Sequence, residues 1–256
     1  MIQVCLNGPC GTGDSAAVPL SPGAMAESAA GAVAAGATEV RVHPRTPCGD
    51  DTLSPRVLAA VLTAVRDVVG VPVGVPTGAW AEPDPGRRVE RVRSWTVLPD
   101  RASVDWHEPG AEEVAAALLG RGVGVEAHVR SGTDGARRFL ASPLAPRVSR
   151  VVAGVADRDP VTAPASARAL LAELGGAPGV PVLLHGRGGG AWPVLRLAVR
   201  RGLAARTGLE DTALLPDGRP ARSNARLVAA ALEERDAIRR QIRWASGFPG
   251  RDSGWR

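Results

Sequence analysis

Along nearly the whole chain, short β-branched runs alternate with longer amphipathic stretches rich in Ala, Leu and Arg. This alternation constrains the fold most, because a strand followed by a helix that returns to a parallel strand is the βα unit. The strand-like runs are IQVCLN, TEVRVH, VPVGVPT, ASVDWH, GVEAHV, SRVVAGV, VPVLLHG and AARTGLE, and a helical stretch follows each. The stretch from Ser21 to Ala35 opens with Ser21 as a cap and Pro22 at the first helical position. The stretch from Gly110 to Gly122 has acids in its first turn and Arg121 and Gly122 at its end, as the helix dipole and C-cap favour. Eight such units in 256 residues predict an α/β fold, a TIM (β/α)8 barrel, as one domain over residues 1–240. A doubly wound open sheet shares the periodicity and is the alternative. From residue 241 the pattern breaks, and SGFPGRDSGWR, rich in Gly, Pro and Ser, is expected to be a disordered tail.

Composition narrows the chemistry through an absence: all 31 basic residues are arginine. Without lysine the chain cannot be a Schiff-base aldolase, a pyridoxal-phosphate enzyme or a Walker A nucleotidase, each of which needs an amine. Three cysteines, Cys5, Cys10 and Cys48, make neither a disulfide framework nor a zinc knuckle, which suits a reducing cytoplasm. No apolar run approaches membrane-spanning length, and no signal peptide is expected. With a net charge of +5 and no basic run, two Phe and no Tyr, nucleic acid is not expected as a partner.

In a barrel, the C-terminal ends of the strands build the active site. All four histidines, His43, His107, His128 and His185, fall at or near such ends. So do Asn7, Thr77, Glu108, Arg206, Glu210 and Asp211. Singly each reads as well as a structural residue; together they predict a catalytic mouth, with His128 the most readily structural. Glu108 could cap the next helix or meet a substrate. The glycine-rich LLHGRGGG could present amides to an anion or be a plain connection. In RTGLEDT, alternation would point only one of the adjacent acids Glu210 and Asp211 into the mouth. Arg206, four residues before Glu210, is placed to hold a neighbouring carboxylate ionised.

At these residues a resemblance emerges. GLEDTALLPDGRPARSNARLVAAA, from Gly208 to Ala231, resembles the signature of the β-keto acid cleavage enzymes, whose founding activity is 3-keto-5-aminohexanoate cleavage. PLSPGAMAESAAGAVAAGATEVRVHPR is similar to the family's first helix and second strand, and GVPTGAW, PDRASVDWHEPGAEEV and PVLLHGRGGGAWPVLRLA resemble a branch of it. The resemblance runs over about residues 2 to 235. It implies a TIM barrel with one divalent metal, usually zinc, acting as Lewis acid on a keto group, which agrees with the missing lysine. It implies condensation of a β-keto acid with acetyl-CoA and splitting of the adduct to acetoacetate and a new CoA thioester. It also implies small-molecule partners only and a homotetramer.

Residue by residue, the family's metal-binding H-x-H pair and the Glu of its G-x-E-D segment fall on Arg41, His43 and Glu210. His43 and Glu210 match as metal ligands. Arg41 does not, because a guanidinium stays protonated and has no lone pair to give. Either His185 or His107 completes the set, or the metal is lost and Arg41 binds a substrate carboxylate. Asp211 and Arg206 match the family's catalytic pair, with Asp211 as general base and Arg206 orienting it. Thr77 matches a substrate contact, Pro76 replaces the usual Ser before it, and Glu126 lies near a family acid on the fifth strand. Two other readings stay open: a metal-free barrel binding a carboxylated ligand through Arg41, Arg45 and Arg206, and a metal-dependent lyase or hydrolase that uses no CoA.

Overall fold

The computed structural model describes residues 1–246 except 9, 12, 14, 177 and 178. Eight parallel strands close into a barrel in sequence order: β1 (Ile2–Cys5), β2 (Glu39–Arg41), β3 (Val73–Pro76), β4 (Arg101–Asp105), β5 (Gly124–Arg130), β6 (Arg150–Val155), β7 (Val182–Gly186) and β8 (Ala204–Thr207). β8 pairs with β1, Arg206 opposite Gln3, so the sheet has no edge. The helices α1 (Pro22–Ala34), α2 (Pro55–Arg66), α3 (Pro85–Ser94), α4 (Ala111–Leu119), α5 (Gly135–Ala141), α6 (Ala163–Glu173), α7 (Ala191–Arg200) and α8 (Asn224–Ser246) alternate with the strands. The barrel expected from the sequence is therefore the fold, and the open sheet is excluded.

Local chemistry sets the helix starts. The Ser21 hydroxyl accepts from the Ala24 amide at 3.2 Å, and proline opens α1, α2 and α3. Gly110 precedes α4 at φ 75°, with Glu112 and Glu113 in the first turn. α8 continues to Ser246, so the expected tail boundary at 241 falls inside a helix; residues 247–256 lie outside the described residues. Among the described residues no helix is long and apolar enough to cross a membrane.

The strands are amphipathic in an unusual sense. Their apolar residues (Val4, Val40, Val75, Val104, Ala127, Val151, Leu184) join the core beneath the helices. Their polar residues turn into the barrel. Arg150 of β6 reaches both Glu39 of β2 and Glu126 of β5, contacts between strands that are not all neighbours and that run across the interior. Gln3 donates to the same two carboxylates at 3.4 Å, and Arg101 approaches Glu39 at 3.2 Å. A (β/α)8 barrel ordinarily fills this space with branched apolar side chains; here charge pairs plug its floor.

Candidate active site

The floor cluster lies at the N-terminal ends of the strands, since Glu39, Arg101 and Arg150 each begin one. Glu126, expected at the substrate, belongs to this floor, at the end away from the mouth. The reason is depth: Glu126 is the third residue of β5, two residues below His128, and pairs in register with Arg150.

At the other end, the turn after β8 delivers the main acids. The strand stops at Thr207, so Glu210 and Asp211 follow a turn and not the alternation of a strand. Both carboxylates are buried, and both meet Arg206, correcting the expectation that only one would face the mouth. Arg206 grips Asp211 with two donors, Nε to Oδ2 at 3.0 Å and Nη2 to Oδ1 at 2.6 Å, and reaches Glu210 Oε1 at 3.3 Å. Arg187, at the end of β7, donates to the same Glu210 oxygen at 2.7 Å. Burial alone would raise the Asp211 carboxyl, but the Arg206 charge and then His185 outweigh it and hold the group at about 2. Burial also opposes ionisation of Glu210, and Arg206, His43 and Arg41 together keep it well below the usual range.

Glu210 Oε2 faces His43 Nε2 at 3.4 Å. His43 is fixed from two sides. The Asn7 side chain bonds reciprocally to the His43 backbone at 2.9 Å in each direction, and Asp51 lies 3.3 Å from His43 Nδ1. Gly8 makes room for the pair: at φ 57° a Cβ there would sit 2.2 Å from the Glu210 side chain. Trp80 covers this corner, its ring stacked with His43 at 6.1 Å.

A second chain of contacts starts on β4. Asp105 Oδ1 lies 2.5 Å from His128 Nδ1, His128 Nε2 lies 3.4 Å from His185 Nε2, and His185 Nδ1 lies 3.2 Å from Asp211 Oδ1. Burial, then the charge of Arg206, depresses His185 to about 3, so its imidazole is neutral. Burial would raise Asp105, but His128 and Arg41 hold it well below the ordinary value. Gly154 permits the imidazole pair, since a Cβ would stand 2.5 Å from His128 Nε2 and 3.0 Å from His185 Nε2. His128, read most readily as structural from the sequence, lines a cavity of about 130 Å³ with Arg130, Arg158, His185 and Arg187.

Other expected residues have structural partners. Glu108 caps no helix: its Oε2 accepts from the Ala79 amide at 2.9 Å and from Arg88 of α3, fastening the loop that carries Trp80. The Thr77 hydroxyl donates to the Ser103 carbonyl at 2.9 Å. His107 is half-buried, 4.0 Å from Asp105, and burial lowers it. Arg45 donates to the carbonyls of Gly8, Cys10 and Gly49, and its Nε lies 3.4 Å from Asp51 Oδ1. In the glycine turn the Gly188 amide donates to the Asp211 carbonyl at 2.7 Å and the Gly190 amide to the Arg187 carbonyl at 3.1 Å.

His43 Nε2 and Glu210 Oε2 offer a divalent metal two donors, both without a hydrogen-bond partner among the described residues. Neither His185 nor His107 joins them; each sits beside an aspartate elsewhere in the mouth. The third place is Arg41, whose Nε is 3.9 Å from Glu210 Oε2. Among the described residues no three His, Cys, Asp or Glu side chains come together as a metal-holding set. Two donors beside a permanent cation do not fit a catalytic zinc, which keeps three protein ligands.

Comparison with known proteins adds the lineage. Residues 1–141 and 127–245 match the beta-keto acid cleavage enzyme family. No curated protein matches the sequence. Among solved structures, ObcA in a ternary complex with a C4-CoA adduct and oxalate superposes with TM-score 0.67 at 16% identity, over 91% of this chain and 68% of that one. A type I 3-dehydroquinate dehydratase from Clostridium difficile gives 0.59 at 12% identity, over 95% and 92%. The N-acetylmannosamine-6-phosphate 2-epimerase from Clostridium perfringens gives 0.53 at 14%, over 82% and 87%. These likenesses establish the barrel, and the match along the sequence establishes the lineage: the chain belongs to the β-keto acid cleavage enzyme family.

Proposed function

We propose that the protein transfers an acyl group from a β-keto acid to coenzyme A at the expense of acetyl-CoA or another CoA thioester, with acetoacetate as the second product when acetyl-CoA is used. The observation that carries this reading is the two-donor grip of Arg206 on Asp211 in the mouth. Asp211 removes a proton from the carbon between the keto and carboxylate groups. The carbanion attacks the acetyl-CoA carbonyl and releases the CoA thiolate. The thiolate attacks the original keto carbon, the carbon–carbon bond breaks, and the leaving enolate takes the proton back from Asp211. No net proton, oxidant or reductant is consumed.

The electrostatics support these roles. Arg206 keeps Asp211 ionised and aimed, at the cost of basicity. The α-proton of a β-keto acid is in turn acidified when its keto oxygen meets a cation, and Arg41 and Arg187 flank Glu210 beside it. Neutral His185 at 3.2 Å can share the proton that Asp211 receives. The arginines of the mouth suit an anionic substrate.

Incubating the enzyme with a panel of β-keto acids, with and without acetyl-CoA, tests the proposal. Turnover should require the thioester; turnover without it would replace the transferase reading with a lyase or hydrolase.

A further inference from the structure

Arg41 is a buried cation with two guanidinium nitrogens unpaired among the described residues. It is 2% exposed, and its Nε and Nη1 have no hydrogen-bond partner among the described residues. The nearest acid oxygen the geometry gives it, Glu210 Oε2, is 3.9 Å away, beyond hydrogen-bond length. The other Glu210 oxygen already accepts from Arg187 and Arg206. Guanidinium N–H groups left unpaired in a buried site are costly, and Arg45, Arg88, Arg150 and Arg206 leave one nitrogen each in that state where Arg41 leaves two, so an acceptor from outside the chain would relieve Arg41 most. His43 Nε2 and Glu210 Oε2, likewise without a hydrogen-bond partner among the described residues, border the same place.

We propose that the Arg41 guanidinium does the work of a divalent metal in this protein, holding the substrate's keto oxygen as it becomes an enolate. The proposal rests on the cleavage reading above. Arg41 is positive at every relevant pH and donates hydrogen bonds, so it stabilises an enolate oxygen without a coordination shell. Its position inside the barrel, away from bulk water, strengthens that interaction. Glu210 then serves as the counter-charge that fixes Arg41, Arg187 and Arg206 around one carboxylate, and His43 Nε2 remains available to a substrate hydroxyl or enol.

Zinc counting and ligand binding test this separately from turnover. Wild-type enzyme incubated with excess zinc and dialysed should hold no zinc, whereas Arg41→His should retain one zinc per chain. Acetoacetate, used as the probe in the presence of a chelator, should bind wild type and bind Arg41→Met about 10- to 100-fold more weakly, the loss of a charge-assisted hydrogen bond. One zinc per chain in the wild type would overturn the proposal, as would acetoacetate binding that the chelator abolishes or that Arg41→Met leaves unchanged. The zinc count on the wild type needs no variant to fold. Failure of every β-keto acid to turn over would instead bring down the cleavage reading, leaving zinc-free, Arg41-dependent binding to be judged by its own measurements.

Discussion

Glu210 Oε2 and His43 Nε2 face each other at 3.4 Å, and neither has a hydrogen-bond partner among the described residues. Two residues far apart in sequence are thus held at ligand distance by Gly8, which yields space to Glu210, and by Asn7, which pins the His43 backbone. The corner is constructed, not incidental. Gly8→Ala should disturb it directly, because the new Cβ lands 2.2 Å from the Glu210 Cγ in a backbone conformation that L side chains rarely adopt. A drop of about 100-fold in kcat/KM is expected, the size of a small misplacement of a catalytic group. Steady-state kinetics on folded variant, checked by circular dichroism, measure it.

Asp211→Asn removes the proposed base while preserving shape. It should lower kcat by about 10²- to 10⁴-fold with little change in substrate affinity, the usual worth of a positioned acid–base group. Single-turnover kinetics separate the two effects. Arg206→Met should behave differently, since it takes the paired cation from buried Asp211, while Glu210 keeps Arg187, and should cost about 3–5 kcal/mol of stability. Urea unfolding reads that loss.

The floor of the barrel should matter for stability and not for catalysis. Arg150→Met leaves Glu39 and Glu126 without their shared cation and should destabilise the fold by about 3–5 kcal/mol. The folded fraction should keep its kcat, which also tests the placement of Glu126 away from the substrate. Replacing all three by apolar residues of similar volume should recover much of the stability.

Acid should weaken the fold in two stages. His185 is depressed from 6.5 to about 3, so the unfolded chain takes up a proton between those values that the folded chain refuses. More protons on the unfolded state means stability falls as pH is lowered across that window, by at most about 1.4 kcal/mol per pH unit. Asp211, depressed from 3.8 to about 2, contributes stability that is present above its unfolded value and lost as pH falls toward its folded one. Chemical unfolding at stepped pH should show the first stage flattened in His185→Asn and the second reduced but present, because Arg206 still holds Asp211 down.

Much of this architecture was legible in the chain. All eight strand runs became strands, and Ser21 caps α1 as its sequence suggests. The Arg206–Glu210 spacing also gave a true contact. The pairing of Glu210 with Asp211 was misread because strand alternation was extended past Thr207, where β8 ends and a turn begins. Asp105, Arg187 and Trp80 carry no local mark of their role, since their value lies in partners on other strands and loops that only barrel closure brings near. A signal for the facing of Asp105 did exist: Arg101, Ser103 and Asp105 recur at every second position of β4, as Glu126, His128 and Arg130 do on β5. In a barrel wrapped by helices the polar face of such a strand turns inward. Depth along the barrel, which separates Glu126 from His128, follows from register and has no local signature.

The central claim is acyl exchange through Asp211, and following an isotopic label tests it most directly. Acetyl-CoA carrying ¹³C in its acetyl group, supplied with a β-keto acid that the enzyme turns over, should deliver the label to acetoacetate and leave the new CoA thioester unlabelled. Label found in free acetate, or acetoacetate free of label, would contradict the account.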